Sequence, residues 1–133
     1  MAARAAVQSL LQDDTDLLAL GVQTVYASNA VDTPEEDCFL VVRWESTTAA
    51  FKTTGSDRVS IWAHDKNRDY GRINEALRRI KNLLTEAVHV EGADGWTMTL
   101  AEWNGEGPDL LDGGFDTVTR YSDFTVVSRY TTT

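Results

Sequence analysis

Residues 58 to 84 read RVSIWAHDKNRDYGRINEALRRIKNLL, and they join an alternating strand to an amphipathic helix. The strand has an apolar face formed by Val59, Ile61 and Ala63 and a mixed face formed by Arg58, Ser60, Trp62 and His64. This period of two is typical of a half-buried strand. In the helix, apolar residues recur at spacings of three and four and form one stripe: Ile73, Ala76, Leu77, Ile80, Leu83, Leu84 and Ala87. The stretch therefore predicts a helix packed on a sheet.

The junction between this strand and this helix contains residues that favour a helix start. Either Asn67 or Asp69 can accept hydrogen bonds from the free backbone N–H groups of the first helical turn. The carboxylate of Asp69 also suits the positive end of the helix dipole. We therefore interpret the junction as a short capping loop.

The remaining segments predict further helices and strands around this unit. A first helix is predicted over residues 2–12, and a short helical turn through residues 17–20 ends at Gly21. Further strands are predicted at Thr24–Ala27, Phe39–Glu45, Trp96–Trp103 and Thr117–Tyr130, and loops at 28–37, 46–57 and 104–116. The loop at 46–57 connects two strands of an expected antiparallel hairpin.

These elements predict an α+β fold in one domain over residues 1–133. We expect a single sheet, mostly antiparallel or mixed, on which an N-terminal helix and one long amphipathic helix pack. The strand Phe39–Glu45 has apolar residues on both faces, which indicates a central strand or a sheet whose second face is also packed.

Composition excludes several classes of protein. The chain has 133 residues, of which 42% are hydrophobic and 25% are charged, as in an ordinary globular domain. No run reaches the roughly 18 apolar residues of a membrane span, and the first residues lack the apolar core of a secretory signal, so we expect folding in a cytosol and no membrane partner. Cys38 is the only cysteine, so no disulfide forms within the chain, and we interpret it as a small buried strand thiol.

The charge balance limits the partners that the protein can bind. A net charge of −9 disfavours any partner held by phosphate neutralisation, because duplex DNA would be repelled. The basic residues Arg78, Arg79 and Lys81 cluster on the helix, but nearby acids dilute them and a solvated face is favoured over nucleic-acid contact. Two interpretations of the acidic surface stay open: it maintains solubility, or it lines a conduit through which DNA slides without binding.

Two groups of polar residues have the chemistry of metal ligands. His64, Asp65 and Asp69 combine an imidazole with carboxylates, which can bind zinc or activate water, but helix capping explains them better. A set of loop carboxylates offers oxygen ligands for calcium but lacks the spacing of a calcium loop: Glu106, Asp109, Asp112 and Asp116. Turn formation explains these residues about as well as calcium binding does. The chain has no catalytic-serine elbow, phosphate-binding loop or dinucleotide fingerprint. We therefore predict no enzymatic activity, no metal and no cofactor.

Aromatic and apolar residues outside the expected core are candidates for a protein interface. Trp62 and Trp103 fall out of phase with the clearest core positions of their strands, and aromatic residues concentrate at binding hot spots. A second packed face of the sheet is the other explanation for them. Apolar side chains in polar loops also suggest contacts when they cluster. The interface candidates are Phe51, Lys52, Arg58, Trp62, Arg72, Trp103, Leu110, Leu111 and Phe115.

Five segments carry a resemblance to a known family: DCFLVVRWE (37–45), RVSIWAHD (58–65), DYGRINEALRRIKNLL (69–84), DGWTMTLAEWNGEGPDLLD (94–112) and TRYSDFTVVSR (119–129). Together they resemble the tail terminator family of long-tailed phages, in the form carried by phages of actinobacteria. The resemblance extends from about Leu17 to Arg129. Its most specific parts are the junction from WAHD to DYGRI and the TRYSDF strand.

The resemblance implies a single-domain structural protein of the virion that catalyses nothing. It implies a homohexameric ring at the head-proximal end of the tail, assembled in the host cytoplasm. Such a ring stops polymerisation of the major tail tube protein and offers a docking surface to the head-completion or stopper protein. Genomic DNA passes through the lumen of the ring without specific binding. The family has no compact functional motif, so the interface candidates above come from the residues alone.

Three other functions compete with this one. A different head–tail neck or head-closure protein would share the ring symmetry and bind on the portal side. An acidic inhibitor or DNA mimic would occupy a basic partner protein. A metal-dependent hydrolase would be centred on His64, Asp65 and Asp69.

Overall fold

The structure is a computed structural model that describes residues 3–27, 34–51 and 54–130, with the backbone alone for 46–51. Phe51 and Lys52 therefore fall outside the described side chains. Three helices lie in the described ranges: α1 (Arg4–Gln12), α2 (Thr15–Ala19) and α3 (Tyr70–Glu86). The strands are β1 (Thr24–Ala27), β2 (Cys38–Phe51), β3 (Thr54–Asp65), β4 (Val90–Glu91), β5 (Trp96–Glu106), β6 (Leu110–Asp112) and β7 (Thr117–Tyr130).

The strands form one sheet in the order β1-β2-β3-β7-β5-β4. Strands β1 and β2 are parallel, and the other neighbours are antiparallel. The short strand β6 follows β5 along the same side of β7, where it pairs with residues 117–119. The predicted α+β class and mixed sheet are confirmed.

All three helices pack on one side of the sheet, which we call the helix face. Its sheet residues are buried and apolar: Cys38, Leu40, Val42, Val59, Ile61, Ala63, Phe124 and Val126. The predicted stripe of α3 meets them with Ile73, Ala76, Leu77, Ile80 and Leu84. Removing each large side chain from water stabilises the fold by about 1.5 to 3 kcal/mol before conformational entropy is subtracted. Within the described ranges, no helix is long and apolar enough to cross a membrane.

The start of α3 is fixed by the residues of the predicted capping loop. The Asp69 carboxylate accepts a hydrogen bond from Arg72 N at 3.1 Å, so Asp69 is the cap. Asn67 has a different role, because its backbone N–H donates to Asp65 Oδ1 at 2.8 Å. Arg68 between them has a φ of 60°, which turns the chain into the helix.

An ion pair with a fully buried carboxylate ties the end of β3 to the first turn of α3. Arg72 Nε and Nη2 donate to the two carboxylate oxygens of Asp65 at 2.8 and 2.9 Å. The hydrogen bond with Asp65 raises the pKa of Arg72 above its usual range. The guanidinium also lies against Gly21, where a Cβ atom would be 2.8 Å from Arg72 Nη1 and φ is +97°. Gly21 thus ends the second helical turn, as predicted, and makes room for the ion pair.

Two predicted loops contain strand residues, and the loop predictions were wrong at those residues for the same reason. The segment 46–57 extends β2 to Phe51 and starts β3 at Thr54, so the hairpin is much longer than expected. The segment 104–116 extends β5 to Glu106 and contains β6. Glycine and polar residues favour loops locally, but pairing with long neighbouring strands supplies backbone hydrogen bonds that override local preference.

Replacing Arg72 with Met should destabilise the protein strongly, because it leaves the buried Asp65 carboxylate without its cation. We expect the free energy of unfolding, measured by urea denaturation, to fall by roughly 3 kcal/mol. The matched control is Arg78→Met, since Arg78 is 69% exposed and forms only a surface pair with Glu75 at 3.3 Å. The control should cost about 0.5 kcal/mol or less. Equal losses for the two variants would contradict this role of Arg72.

Candidate interaction surfaces

The sheet surface opposite the helices, which we call the open face, is partly covered by aromatic packing. Phe39 and His64 lie side by side on it, with stacked rings 4.9 Å apart. Phe115, from the turn before β7, covers both edge-on at 5.5 and 5.2 Å. The Phe115 ring is therefore half-buried as the lid of a small second core, although the sequence made it an interface candidate.

His64 is an internal residue of this second core. Its Nδ1 lies 2.8 Å from Thr117 Oγ1, and burial lowers its pKa to about 4. His64 and Asp65 are adjacent in β3 and so point to opposite faces of the sheet, while Asp69 caps α3. The three residues of the sequence-based metal hypothesis therefore do not converge. Among the described residues, no group of three or more His, Cys, Asp and Glu side chains is placed to hold a metal ion.

A second aromatic pair lies further along the open face. The rings of Trp62 and Tyr121 are 4.5 Å apart, and both are half-buried. Gly107 is buried beneath this pair, since a Cβ atom there would be 2.1 Å from Tyr121 Cε1. The alternation of apolar residues in β3 made Trp62 a candidate for a protein interface. Tyr121 was missed, although its position in the alternation of β7 placed it on the same face.

Polar groups occupy the open face beside this pair. Ser60 Oγ lies 2.8 Å from Glu45 Oε1 and 2.6 Å from Asp123 Oδ1. The candidate Arg58 is 56% exposed, and its guanidinium is 3.9 Å from the Asp123 carboxylate. This contact is loose and exposed, so the Arg58 side chain is available to a partner at little cost.

Strand β6 presents the most exposed apolar side chain of the described residues. Leu111 is 71% exposed and Leu110 is 36% exposed. The backbone beneath them is fixed, because β6 pairs with β7 and Leu110 O accepts a hydrogen bond from Tyr70 OH at 2.9 Å. An exposed leucine on a backbone fixed in this way is a suitable anchor for a partner protein.

Arg120 organises the chain that leads into β6, and sequence reasoning missed it. Its Nε donates to Gly107 O at 3.1 Å, its Nη2 to Glu106 Oε2 at 2.9 Å, and its Nη1 to Asn74 Oδ1. Asp109 lies 3.3 Å from the same guanidinium. One arginine of β7 thus holds the loop between β5 and β6 against α3. The one sign of this role in the sequence was an arginine within a predicted strand.

The loop carboxylates considered as calcium ligands are bound by the protein itself. Glu106 and Asp109 contact Arg120. Asp112 accepts hydrogen bonds from the backbone N–H groups of Gly114 and Phe115 at 2.9 and 3.0 Å, and Asp116 lies 3.5 Å from Arg68. They form turns and ion pairs, in agreement with the other interpretation from the sequence.

The outer edge of β5 carries a further pair of exposed apolar residues. Trp103 is 39% exposed, and Lys81 Nζ lies 3.8 Å from its ring centroid. Leu100, which was not a candidate, is 41% exposed. Trp103 pairs with Phe124 and so lies on the helix face, while Leu100 pairs with Val127 on the open face. The edge of β5 is therefore apolar on both sides of the sheet.

The basic residues of α3 are held in contacts within the chain. Arg79 binds the Asp14 carboxylate through two hydrogen bonds of 2.7 and 2.9 Å, and Arg78 pairs with Glu75. The hydrogen bond from Arg79 lowers the pKa of Asp14, which also caps α2 through Leu17 N at 3.0 Å. Arg72 is likewise bound, to Asp65, and its side chain is only 23% exposed. As a candidate for contact between copies, Arg72 has few free donors.

Acid should destabilise the fold through His64. The pKa of the buried His64 is about 4, whereas an unfolded histidine titrates near 6.5. Between these values the unfolded chain binds a proton that the folded chain does not, so stability that is fully present above pH 6.5 is lost as the pH falls towards 4. The loss corresponds to about 3 kcal/mol.

We expect urea denaturation at a series of pH values to show this loss in the wild type relative to His64→Gln. The control is His89→Asn, because His89 is exposed and its φ of 52° is one that Asn tolerates. The control should keep the wild-type pH profile. Parallel profiles for the wild type and His64→Gln would show that His64 does not cause the loss.

Comparison with known proteins gives a likeness in fold. No protein family model matches the chain, and no curated protein matches it. In the solved structure of the virion of a native gene transfer agent (GTA) particle, one chain is similar to this one, with a TM-score of 0.76 and 17% sequence identity. The similarity covers 96% of this chain and 95% of that chain. The two proteins share a fold over nearly their whole length.

Proposed function

We propose that this protein is a structural component of a virion and acts as a tail terminator. In this role it forms a ring on the finished tail tube, stops polymerisation of the tube and provides the surface to which the head docks. The observation that carries the proposal is the fold, which over 96% of the chain is similar to that of a gene transfer agent virion chain. The five segments that resemble tail terminators support the same role from the sequence.

A ring of identical subunits requires two different surfaces on each copy. Each copy contacts the next through a heterologous interface, and the ring closes after a fixed rotation, for which we propose sixfold symmetry. The described residues offer separate exposed groups on different sides of the molecule. Trp103 lies at the edge of β5, Arg58 on the open face, and Leu111 on β6. This separation allows contacts with neighbouring copies and with other virion proteins at the same time.

We assign the β6 surface, centred on the exposed side chain of Leu111, to contact with an adjacent protein of the particle. The partners in this proposal are the major tail tube protein on one side of the ring and the head-completion or stopper protein on the other. Tyr70 and Arg120 hold the chain around β6 in place. A partner therefore meets a preformed apolar group and does not have to order a loop, which lowers the entropic cost of binding.

The acidic character of the chain fits the passage of genomic DNA through such a ring. With a net charge of −9, the protein has little capacity to hold phosphates by charge neutralisation. A wall that does not bind the duplex lets it slide. In the proposed role the protein catalyses nothing and uses no cofactor.

Tails assembled without this protein test the proposal directly. We expect electron microscopy of particles from a strain that lacks the gene to show tubes of uncontrolled length that do not join heads. Complementation with the wild-type gene should restore tails of uniform length. A head-closure protein would instead leave tails of normal length detached from heads, and finished, head-joined tails would contradict both functions.

Replacing Leu111 with Asp should reduce incorporation into particles without unfolding the subunit. The leucine side chain would lose about 1.5 to 3 kcal/mol of burial in the complex, which corresponds to at least a tenfold weaker contact. The measurement is the number of copies per purified particle, by quantitative mass spectrometry, together with urea denaturation of the free variant. Val88→Asp is the matched control, since Val88 is 63% exposed and lies away from β6. Equal incorporation of both variants would contradict the assignment of β6.

A further inference from the structure

The sheet has two edges that the described part of the chain leaves partly unpaired. Strand β1 ends at Ala27, opposite Val42, and from Arg43 onwards no described strand lies on the outer side of β2, away from β3. At the other side of the sheet, β4 pairs only with residues 97 and 98 of β5, and His89 N donates to Thr99 O at 3.4 Å. The segment 100–106 of β5 has no described strand on its outer side.

These two edges lie at the same level of the sheet and run in opposite directions. The registers of the four central strands align Arg43 with Ser60, Ser60 with Asp123, and Asp123 with Gly105. Each step from β2 to β3, β7 and β5 is antiparallel, so β5 runs opposite to β2. In a ring whose axis runs along the strands, the rotation that relates one copy to the next leaves the direction of every strand unchanged. The β5 edge of one copy therefore meets the β2 edge of the next in the antiparallel sense.

We propose that copies of this chain associate by pairing the β5 edge of one subunit with the β2 edge of the next, which joins their sheets into one continuous sheet. The occupant of each edge is a second copy of the same chain. This inference rests on the proposed ring and names the contact that builds it. Antiparallel edge pairing supplies backbone hydrogen bonds at a strand spacing of about 4.8 Å.

Charges of opposite sign stand on the two edges. Arg43 is exposed on β2, and Glu102 is exposed on β5. Both point to the open face, because Arg43 pairs with Ser60 and Glu102 pairs with Thr125. Within the described residues, neither side chain forms an ion pair. Joining the edges brings these charges to the same face of one sheet. In the aligned registers Glu102 is level with Ser46, so Arg43 and Glu102 approach each other diagonally along the strands, where opposite charges attract.

Apolar exposure on β5 gives a second reason for this edge to be covered. Leu100 on the open face and Trp103 on the helix face are both about two-fifths exposed. An edge strand with unpaired backbone groups and apolar side chains promotes uncontrolled association unless a specific neighbour covers it. Shifts of register between Trp44 and Ser46 in β2, and between Trp103 and Gly105 in β5, bend both edges. Such bulges limit the pairing to a short segment and disfavour indefinite growth of a flat sheet.

Disulfide trapping tests the contact in the purified full-length protein. Arg43→Cys is combined in turn with Glu102→Cys and with Asn104→Cys, and each double variant is oxidised over a range of protein concentrations. Covalent trapping accumulates a contact even when the free ring is short-lived. We expect at least one pair to give a ladder of multimers above the dimer on non-reducing gels, because each copy carries both halves of a head-to-tail contact.

Three controls test whether the ladder is specific to these edges. Each single cysteine variant can form at most a disulfide dimer, and Cys38 has no exposed surface, so it should not react. The pair Arg43→Cys with Glu75→Cys places the second thiol on the exposed side of α3, away from the sheet edge. This pair should give no ladder. The inference is overturned if neither edge pair exceeds the single variants, or if the α3 pair gives an equal ladder.

A charge exchange gives an independent measurement of the same contact. Arg43→Glu and Glu102→Arg should each weaken self-association several-fold, measured by sedimentation over a concentration series, and the double variant should recover most of the loss. Additive losses in the double variant would overturn the pairing of these two edges.

The disulfide ladder and the tail length in the strain that lacks the gene test the two proposals independently. A ladder from the edge pairs, together with normal tails in the strain that lacks the gene, would retain the contact between copies and reject the terminator. Overlong tails in that strain, without a ladder from either edge pair, would retain the terminator and reject this contact.

Discussion

The ion pair between Asp65 and Arg72 is the constraint on which the arrangement of helix and sheet depends. Asp65 is the last residue of β3 and has no exposed surface, and a carboxylate in such a place is stable as an anion only beside a cation. The cation comes from the first turn of α3, so this requirement fixes where the helix begins relative to the sheet. The apolar stripe of α3 then falls on the helix face, and Gly21 fits α2 against the same guanidinium.

Because all the described helices pack on one side of the sheet, the open face is covered in part by a turn and by aromatic side chains. A mostly antiparallel sheet tolerates one solvated face, and here the turn that carries Phe115 covers part of it. His64 belongs to this second core, since its ring is stacked on Phe39 and loses its charge through burial. Trp62 and Tyr121 stay half-buried on the same face. The exposed apolar side chains of the sheet include Leu100, Trp103 and Leu111, which lie at its margins, on β5 and on β6.

The sequence predicts those parts of this protein that depend on local periodicity. The strand before α3 and the apolar stripe of α3 follow from spacing alone, and the structure confirms them. The sequence narrowed the cap to Asn67 or Asp69, and the structure selects Asp69. The strand segments in 46–57 and 104–116 do not follow from it, because partners distant in the chain supply their hydrogen bonds. Contacts of single side chains are equally non-local: Arg120 in β7 reaches Asn74 in α3. Exposure of Leu100 becomes visible only when the neighbours of each strand are known.

Several arginines of this acidic chain form ion pairs within the subunit, which limits the charged contacts that copies could make with each other. Arg72, Arg79 and Arg120 bind carboxylates within the subunit, so they contribute little to contacts between subunits. With a net charge of −9, copies that approach each other meet net repulsion, which salt screens over about 8 to 10 Å. In the proposed ring, stable association would therefore come from buried apolar groups and backbone hydrogen bonds at the strand edges. Exposed charges outside these ion pairs, such as Arg43 on the β2 edge and Glu102 on the β5 edge, would then select which edges meet.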